Sequence, residues 1–394
     1  MARSSAHSAT VLHDIHQRQR GDGPAATLGI GTANPTNCVL QDQFVDWFFR
    51  VTKSEHLAEL KAKTKKICDK SGITKRYFYH TEGIISSHPE LIDGALPSLT
   101  TRLGIIEDAA PKLAAEAATR AIADWGRPAA DITHLVVATN SGASEPGADL
   151  RLAGLLGLRP TVRRILLYLH GCSAGLVALR VAKDIAENNR GARVLVACAQ
   201  AELLLFRPPD EARLDLVVAM TLLSDGAGAV IVGADPASSP MAMERPSSTW
   251  YLPRRRPCPA QTRQCHLSVE VPTLVRGSIK KCLADTLAPL GLLNASDDGG
   301  WNGLFWALHP GGRAILDSYE AALGLDPGKL AASRHVLSEY GNMIGATIIF
   351  VLDEIRRRRH DDGKDCQWGV MSGLGPGLTI ETIVLHATGR QDEN

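Results

Sequence analysis

The chain has 394 residues, more than a single hydrophobic core of about 250 to 300 residues accommodates, so two packed lobes are expected. Hydrophobic residues make up 44% and charged residues 22%, with a formal net charge of +1, which excludes a disordered chain and gives no global pull toward nucleic acid or membrane. No apolar run approaches the ~18 residues of a membrane span, and "MARSSAHSATVLHDIHQRQRGDG" lacks the continuous apolar stretch of a signal peptide, so a cytoplasmic protein is expected.

After the polar start, "AATLGIGTAN" reads as a strand, and "SEHLAELKAKTKKICDKSG" as a lysine-rich helix with Ser54 as N-cap and Gly72 as terminator. A long alanine-rich helix, "IIEDAAPKLAAEAATRAIADWG", precedes the β-branched strand "ITHLVVATNSG". The strand "RRILLYL" runs into Cys172, followed by the helix "AGLVALRVAKDIAENNRG", the strand "ARVLVACAQ" and the glycine-rich turn and strand "DGAGAVIVGADP". Residues 238–263 are rich in Pro, Ser and Arg and read as a connection, dividing the chain into halves at 1–238 and 239–394.

The second half repeats the pattern. The helix "TLVRGSIKKCLADTLAPLG", the strand "GLFWALH" with its turn "PGG", the helices "RAILDSYEAALG" and "ATIIFVLDEIRRRR", and the strand pair "WGVMSGLGPGLTIETIVLHA" follow in order. Two similar layered α/β halves are the expected fold class. The eight cysteines form no close pairs, and Cys258, Cys265 and His266 lack a second ligand pair, so neither a disulfide framework nor a metal site is expected.

Three residues carry chemistry in this pattern. Cys172 sits at a strand-to-helix junction, where unpaired N–H groups and the helix dipole favour a thiolate, or else it is a small apolar residue packed between Gly171 and Ala174. His309 ends an apolar strand before a Gly-Gly turn and is either its imidazole partner or a packing histidine. Asn342 follows Gly341 at a helix start, as an ordinary N-cap or as an amide that binds a carbonyl oxygen. Together, Cys, His and Asn suit stabilisation of an oxyanion on a thioester.

The segments "GCSAG", "HPGG", "LSEYGNM" and "GLGPGLTIE", in this order, closely resemble the signature segments of type III polyketide synthases, the chalcone and stilbene synthase family. The resemblance runs from about Gly29 to His386 and implies a thiolase-like fold and a homodimer. It implies Cys172 as the acylated nucleophile, with His309 and Asn342 binding the thioester carbonyl of malonyl-CoA. The substrates are then malonyl-CoA and a starter acyl-CoA, with no metal or redox cofactor. By the same resemblance Lys63, Lys66 and Lys70 meet coenzyme A phosphates, and their spacing puts them on one helical face, which is otherwise simply a solvated face. Gly311, Gly312 and Ala314 match a loop whose small residues let the cofactor arm pass, and Gly373 to Gly377, with Gly375 and Pro376, match the loop that shapes the cyclisation pocket.

Departures from the family pattern cluster at the pocket. Leu223 and Cys265 stand where two gate phenylalanines are usual, Asn140 and Leu205 where threonines are, and Ile344 where a serine often is. Ser141 joins this pocket set, Glu145 replaces a methionine that crosses the subunit boundary, and the segment 253–265 is shortened, with Arg254, Arg255 and Arg256. An open, apolar gate implies a bulky aromatic or fatty starter, since each buried CH₂ contributes about 0.8 kcal/mol. The alternatives are a single-condensation β-ketoacyl synthase, or a weakened paralogue that binds acyl-CoA or dimerises with an active enzyme.

Overall fold

Every residue from Arg193 to Gln200 is buried, so this strand is covered on both faces. Val194, Val196 and Cys198 point into one core, while Leu195, Ala197 and Ala199 point into another. That alternation organises the whole molecule. The computed structural model describes residues 19–234, 242–250, 271–293, 300–362 and 366–387.

The first half runs β1 (Ala26–Ala33), β2 (Asn37–Leu40), α1 (Gln41–Val51), α2 (Ala58–Lys70), β3 (Lys75–Phe78), α3 (Glu82–Ser87), α4 (Leu99–Trp125), β4 (His134–Thr139) and α5 (Ala148–Leu155). It continues through β5 (Arg163–Tyr168), α6 (Ala174–Asn188), β6 (Arg193–Gln200), α7 (Leu214–Leu222) and β7 (Gly226–Gly233). The second half comprises β8 (Ala242–Trp250), α8 (Val271–Leu287), β9 (Phe305–Leu308), α9 (Arg313–Leu323), α10 (Ala331–Tyr340), α11 (Thr347–Asp362), β10 (Trp368–Gly375) and β11 (Thr379–His386). Strands β2 and β3 form a small separate ribbon.

The main sheet has the order β5-β4-β6-β7-β1-β8-β11-β10-β9. Within it, β1-β7-β6-β4 repeats as β8-β11-β10-β9, with two antiparallel pairs followed by one parallel pair in each set. The halves meet where Ala26 pairs with Ala242. Helices α6 and α11 lie in one shared core, with α6 contributing Leu176 and Leu179, and α11 Ile348, Ile349 and Leu352, against strand residues of both halves such as Val196, Val230, Met371 and Ile383. Helices α1 and α4 cover the first half's other face, and α8 and α9 cover the second's. The result is the layered, two-half α/β fold expected from the repeated pattern.

Several local expectations shift. Helix α2 begins at Ala58, not after Ser54, because the Ser54 carbonyl accepts from Leu57 N–H and closes a turn of its own, and the Ser54 hydroxyl bonds to the Thr52 carbonyl. Helix α4 starts at Leu99, ahead of the expected Ile105. Its buried Arg102 donates to the carbonyls of Leu91, Leu203 and Phe206, and these tertiary bonds extend the helix past Gly104. Asn342 does not cap a helix; it lies between α10 and the short turn Ile344–Ala346. The connection expected at 238–263 is in part a strand: Ala242–Trp250 forms β8, paired along β11, because a sheet position beside β11 is open to it, while the shortened segment 253–265, including Cys265, lies outside the described residues.

Candidate active site

Helices α6 and α11 approach closely at their N-terminal ends because no side chain intervenes. A Cβ on Gly175 would lie 2.2 Å from the Gly345 carbonyl oxygen, and one on Gly345 would lie 2.6 Å from the Ala174 Cβ. Only glycine permits this contact, which brings the turn carrying Cys172 to the turn carrying Asn342. Both turns hold a non-glycine residue in the left-handed region, Leu169 with φ 62° and Ile344 with φ 52°. Such backbone is costly and is kept where packing over-determines it.

Cys172 lies in the turn Gly171–Ser173 between β5 and α6 and is half-buried. The Asn342 Nδ2 sits 4.0 Å from its Sγ and donates to the Gly311 carbonyl at 3.1 Å. The Asn342 Oδ1 accepts from Ile344 N–H, while its backbone N–H and C=O bond to Leu222 and Ser224 respectively, so the amide is fixed at both ends. His309 follows β9, held by its N–H to the Ser372 carbonyl. It is 2% exposed, both ring nitrogens lack a partner, and burial lowers its pKa to about 4, so the imidazole is neutral at physiological pH. Gly373 adjoins both residues: a Cβ there would be 3.2 Å from the His309 Cβ and 3.9 Å from the Cys172 carbonyl oxygen.

The pocket residues converge on the same place. Leu223 and Ile344 are buried together with Ala219, and Cys172 and Leu205 pack against them. Asn140 does more than line a wall, because its Oδ1 accepts from Gly171 N–H at 2.8 Å and so pins the turn carrying Cys172, while Gln200 Oε1 accepts from the Asn140 backbone and amide. Ser141 accepts from Ala201 N–H through Oγ and is buried structure more than surface. Gly375 and Pro376 form the β10–β11 turn above the thiol's turn, with the Pro376 ring 2.5 Å from where a Gly171 Cβ would stand.

Lys63, Lys66 and Lys70 are exposed on α2, and none has an ion-pair partner among the described residues, whereas Lys61 pairs with Asp46 and Lys65 with Asp69. The end of α2 reaches the α9 entrance, where Gly72 meets Arg313, the residue between Gly312 and Ala314. Sequence reasoning missed the buried polar group around Leu223. It comprises His80, Glu202 and Asp225, with Asp225 accepting from Tyr79 N–H and Glu202 N–H. The one available signal was a lone acid inside the apolar run "QAELLLF". No three His, Cys, Asp or Glu side chains group as metal ligands, and no helix is long and apolar enough to cross a membrane, among the described residues.

Two glycine-welded α/β halves with cysteine, histidine and asparagine at their junction define an acyl-transferring condensing enzyme. Residues 12–236 match the N-terminal domain of chalcone and stilbene synthases and 261–389 the C-terminal domain, and the chain belongs to that family as a type III polyketide synthase. Among named relatives, it is 52% identical over 391 residues to the bisdemethoxycurcumin synthase of Oryza sativa subsp. japonica, a match that covers 96% of each chain.

Proposed function

We propose that Cys172 takes the acyl group of a bulky aromatic starter thioester and that this chain is then lengthened with malonyl-CoA. The Cys172 sulfur attacks the thioester carbonyl and coenzyme A leaves as its thiol. Malonyl-CoA loses CO₂, and the resulting enolate oxygen is held by the Asn342 amide and a His309 N–H. The enolate carbon then attacks the Cys172 thioester and expels the sulfur. A neutral imidazole and an amide stabilise the enolate without protonating its carbon. The observation that carries this reading is the dry, unprotonated His309 with two unpartnered ring nitrogens, set beside an Asn342 amide that reaches Cys172.

The aromatic choice over a fatty one rests on the relative's name, which describes a curcuminoid product. Lys63, Lys66 and Lys70 bind the coenzyme A phosphates, supported by their exposure and by the adjoining α9 entrance. Coenzyme A thioesters are the only small molecules required. The active species is a homodimer formed through the edge of the sheet at β5, where Leu150 and Leu155 of helix α5, Ile165 of β5 and Leu169 just after it are exposed. Mass spectrometry of products made from malonyl-CoA and a panel of aromatic and fatty acyl-CoA starters tests the reading, with Cys172→Ala as control. Aromatic-derived polyketides that vanish in the variant are expected; extension of small starters alone overturns it.

A further inference from the structure

The backbone of Asn342 is held by a neighbouring stretch of main chain, which is itself held by a buried acid. The segment Leu223–Asp225 links α7 to β7 and runs parallel to Asn342. Asn342 N–H donates to the Leu222 carbonyl at 2.9 Å, and Ser224 N–H donates to the Asn342 carbonyl at 2.9 Å. These two bonds set where Asn342 sits only if the segment that offers them is fixed. Asp225 fixes it. Its Oδ2 accepts from Tyr79 N–H at 2.7 Å, just past β3, and its Oδ1 accepts from Glu202 N–H at 2.6 Å, in the turn after β6. Its own N–H donates to the Tyr77 carbonyl at 2.8 Å, and its carbonyl accepts from Asn34 Nδ2 at 3.1 Å, a nitrogen that also lies 3.3 Å from the Met343 sulfur. On the segment's other edge, buried Arg76 donates to the carbonyls of Met220 and Leu223, and a Cβ on Gly341 would lie 2.9 Å from the Arg76 Cγ. Asp225 is 0% exposed, and burial pushes its carboxyl up to about 7 against the pull of the two N–H donors and of Arg76. A buried acid is weak support for stability alone, and the bonds of this one converge on the segment that holds Asn342.

We propose that Asp225 is a positioning residue for the condensation: its carboxyl group, bridging the Tyr79 and Glu202 amides, sets the Leu223–Asp225 segment and through it the place of the Asn342 amide beside Cys172. Asp225 acts through Asn342 and touches neither substrate nor reacting atoms. The inference rests on the reading of Asn342 as an enolate donor and adds the group that aims that donor. Both carboxyl oxygens are in use, so asparagine is no substitute: its one amide oxygen accepts from one N–H, and its NH₂ faces the other. A donor displaced by a fraction of an ångström remains in the site but meets the developing enolate charge poorly.

The test is a double-mutant cycle on the full chain, with Asp225→Asn, Asn342→Ala and the two combined assayed for release of CO₂ from malonyl-CoA. Asp225→Asn is expected to lower kcat ~10 to 10²-fold, the scale of a misplaced catalytic group, with KM for malonyl-CoA unchanged. Intact-protein mass is expected to show Cys172 still acylated by cinnamoyl-CoA. In the Asn342→Ala background the same substitution is expected to cost nothing further, because the amide it aims is gone. A merely structural loss lowers the rate by the same factor in both backgrounds. That result, or a wild-type rate for Asp225→Asn, overturns the proposal while leaving Asn342 as a donor. Should Asp225→Asn fail to melt cooperatively, Ser224→Ala takes its place: it removes the hydroxyl that accepts from Tyr77 N–H and donates to the Tyr77 carbonyl, and is expected to give the same coupled loss at about five-fold. If Asn342→Ala itself releases CO₂ at the wild-type rate, the donor reading falls and this proposal falls with it.

Discussion

The two halves put different chemistry in the same topological places. Strand β4 runs straight into Asn140 and its counterpart β9 into His309; α6 starts behind Cys172 and its counterpart α11 behind Asn342. Where the first half inserts β5, the second has α10. Solvent access divides the same way, since Cys172 is half-buried while His309 and Asn342 are 2% and 4% exposed. A nucleophile must be reached by a large thioester, whereas donors to an enolate act most strongly where water is excluded. One scaffold used twice thus supplies a reachable thiol and a dry pair of donors.

This division of labour can be broken directly. Cys172→Ala is expected to lower product formation by more than ~10³-fold, read as turnover by mass spectrometry. Asn342→Ala is expected to cost ~10² to 10³-fold in kcat, the usual loss on removing one oxyanion donor, while intact-protein mass still shows Cys172 acylated. If that variant also blocks acylation, the donors serve the first step too and the halves are not separate in role.

Smaller effects sharpen the comparison. Gly175→Ala places a methyl against the Gly345 carbonyl and is expected to cost ~1 to 3 kcal/mol in chemical denaturation, the range for overpacking a tight contact. Asn140→Ala, which frees the Gly171 N–H, is expected to slow acylation about ten-fold with enolate formation from malonyl-CoA unchanged. The mildest effect concerns pH. Glu202 has an ordinary value of 4.5 and is pushed up to about 8 in the fold, and Asp225 to about 7, so the folded state holds protons that the unfolded chain has released across that window. Their contribution is present below about 4.5 and is lost as pH rises through 8. His309 runs the other way, its lowered pKa removing stability as pH falls from about 6.5 toward 4. Below about pH 6.5 the opposing His309 effect offsets this loss, so melting temperature is expected to decline from about pH 6.5 to about pH 8 and level off above it, and Glu202→Gln to flatten that decline.

Much of this was legible in the sequence because strand and helix periods are local. The β-branched run at β4, the apolar helix behind Cys172 and the paired strands around "GLGPG" are read from a few residues each. The halves' likeness followed from their order. Ser54 misled because a serine before an apolar pattern fits a cap as well as a turn, and only the Leu57 to Ser54 bond decides between them. Asn342 read equally well as a cap, and its reach to the Gly311 carbonyl, far away in sequence, is a matter of tertiary placement. His80 and Glu202 were invisible as a pair, being 122 positions apart and joined only by the packing of β3's end against the turn after β6.

Where Gly175 meets Gly345, main chain touches main chain. The spacing between thiol and amide is therefore fixed by peptide groups, which every substitution at Leu205, Leu223 or Ile344 leaves in place. Reactivity resides in the backbone and selectivity in the walls, so the family to which this chain belongs has a catalytic engine whose substrate range is adjustable one side chain at a time.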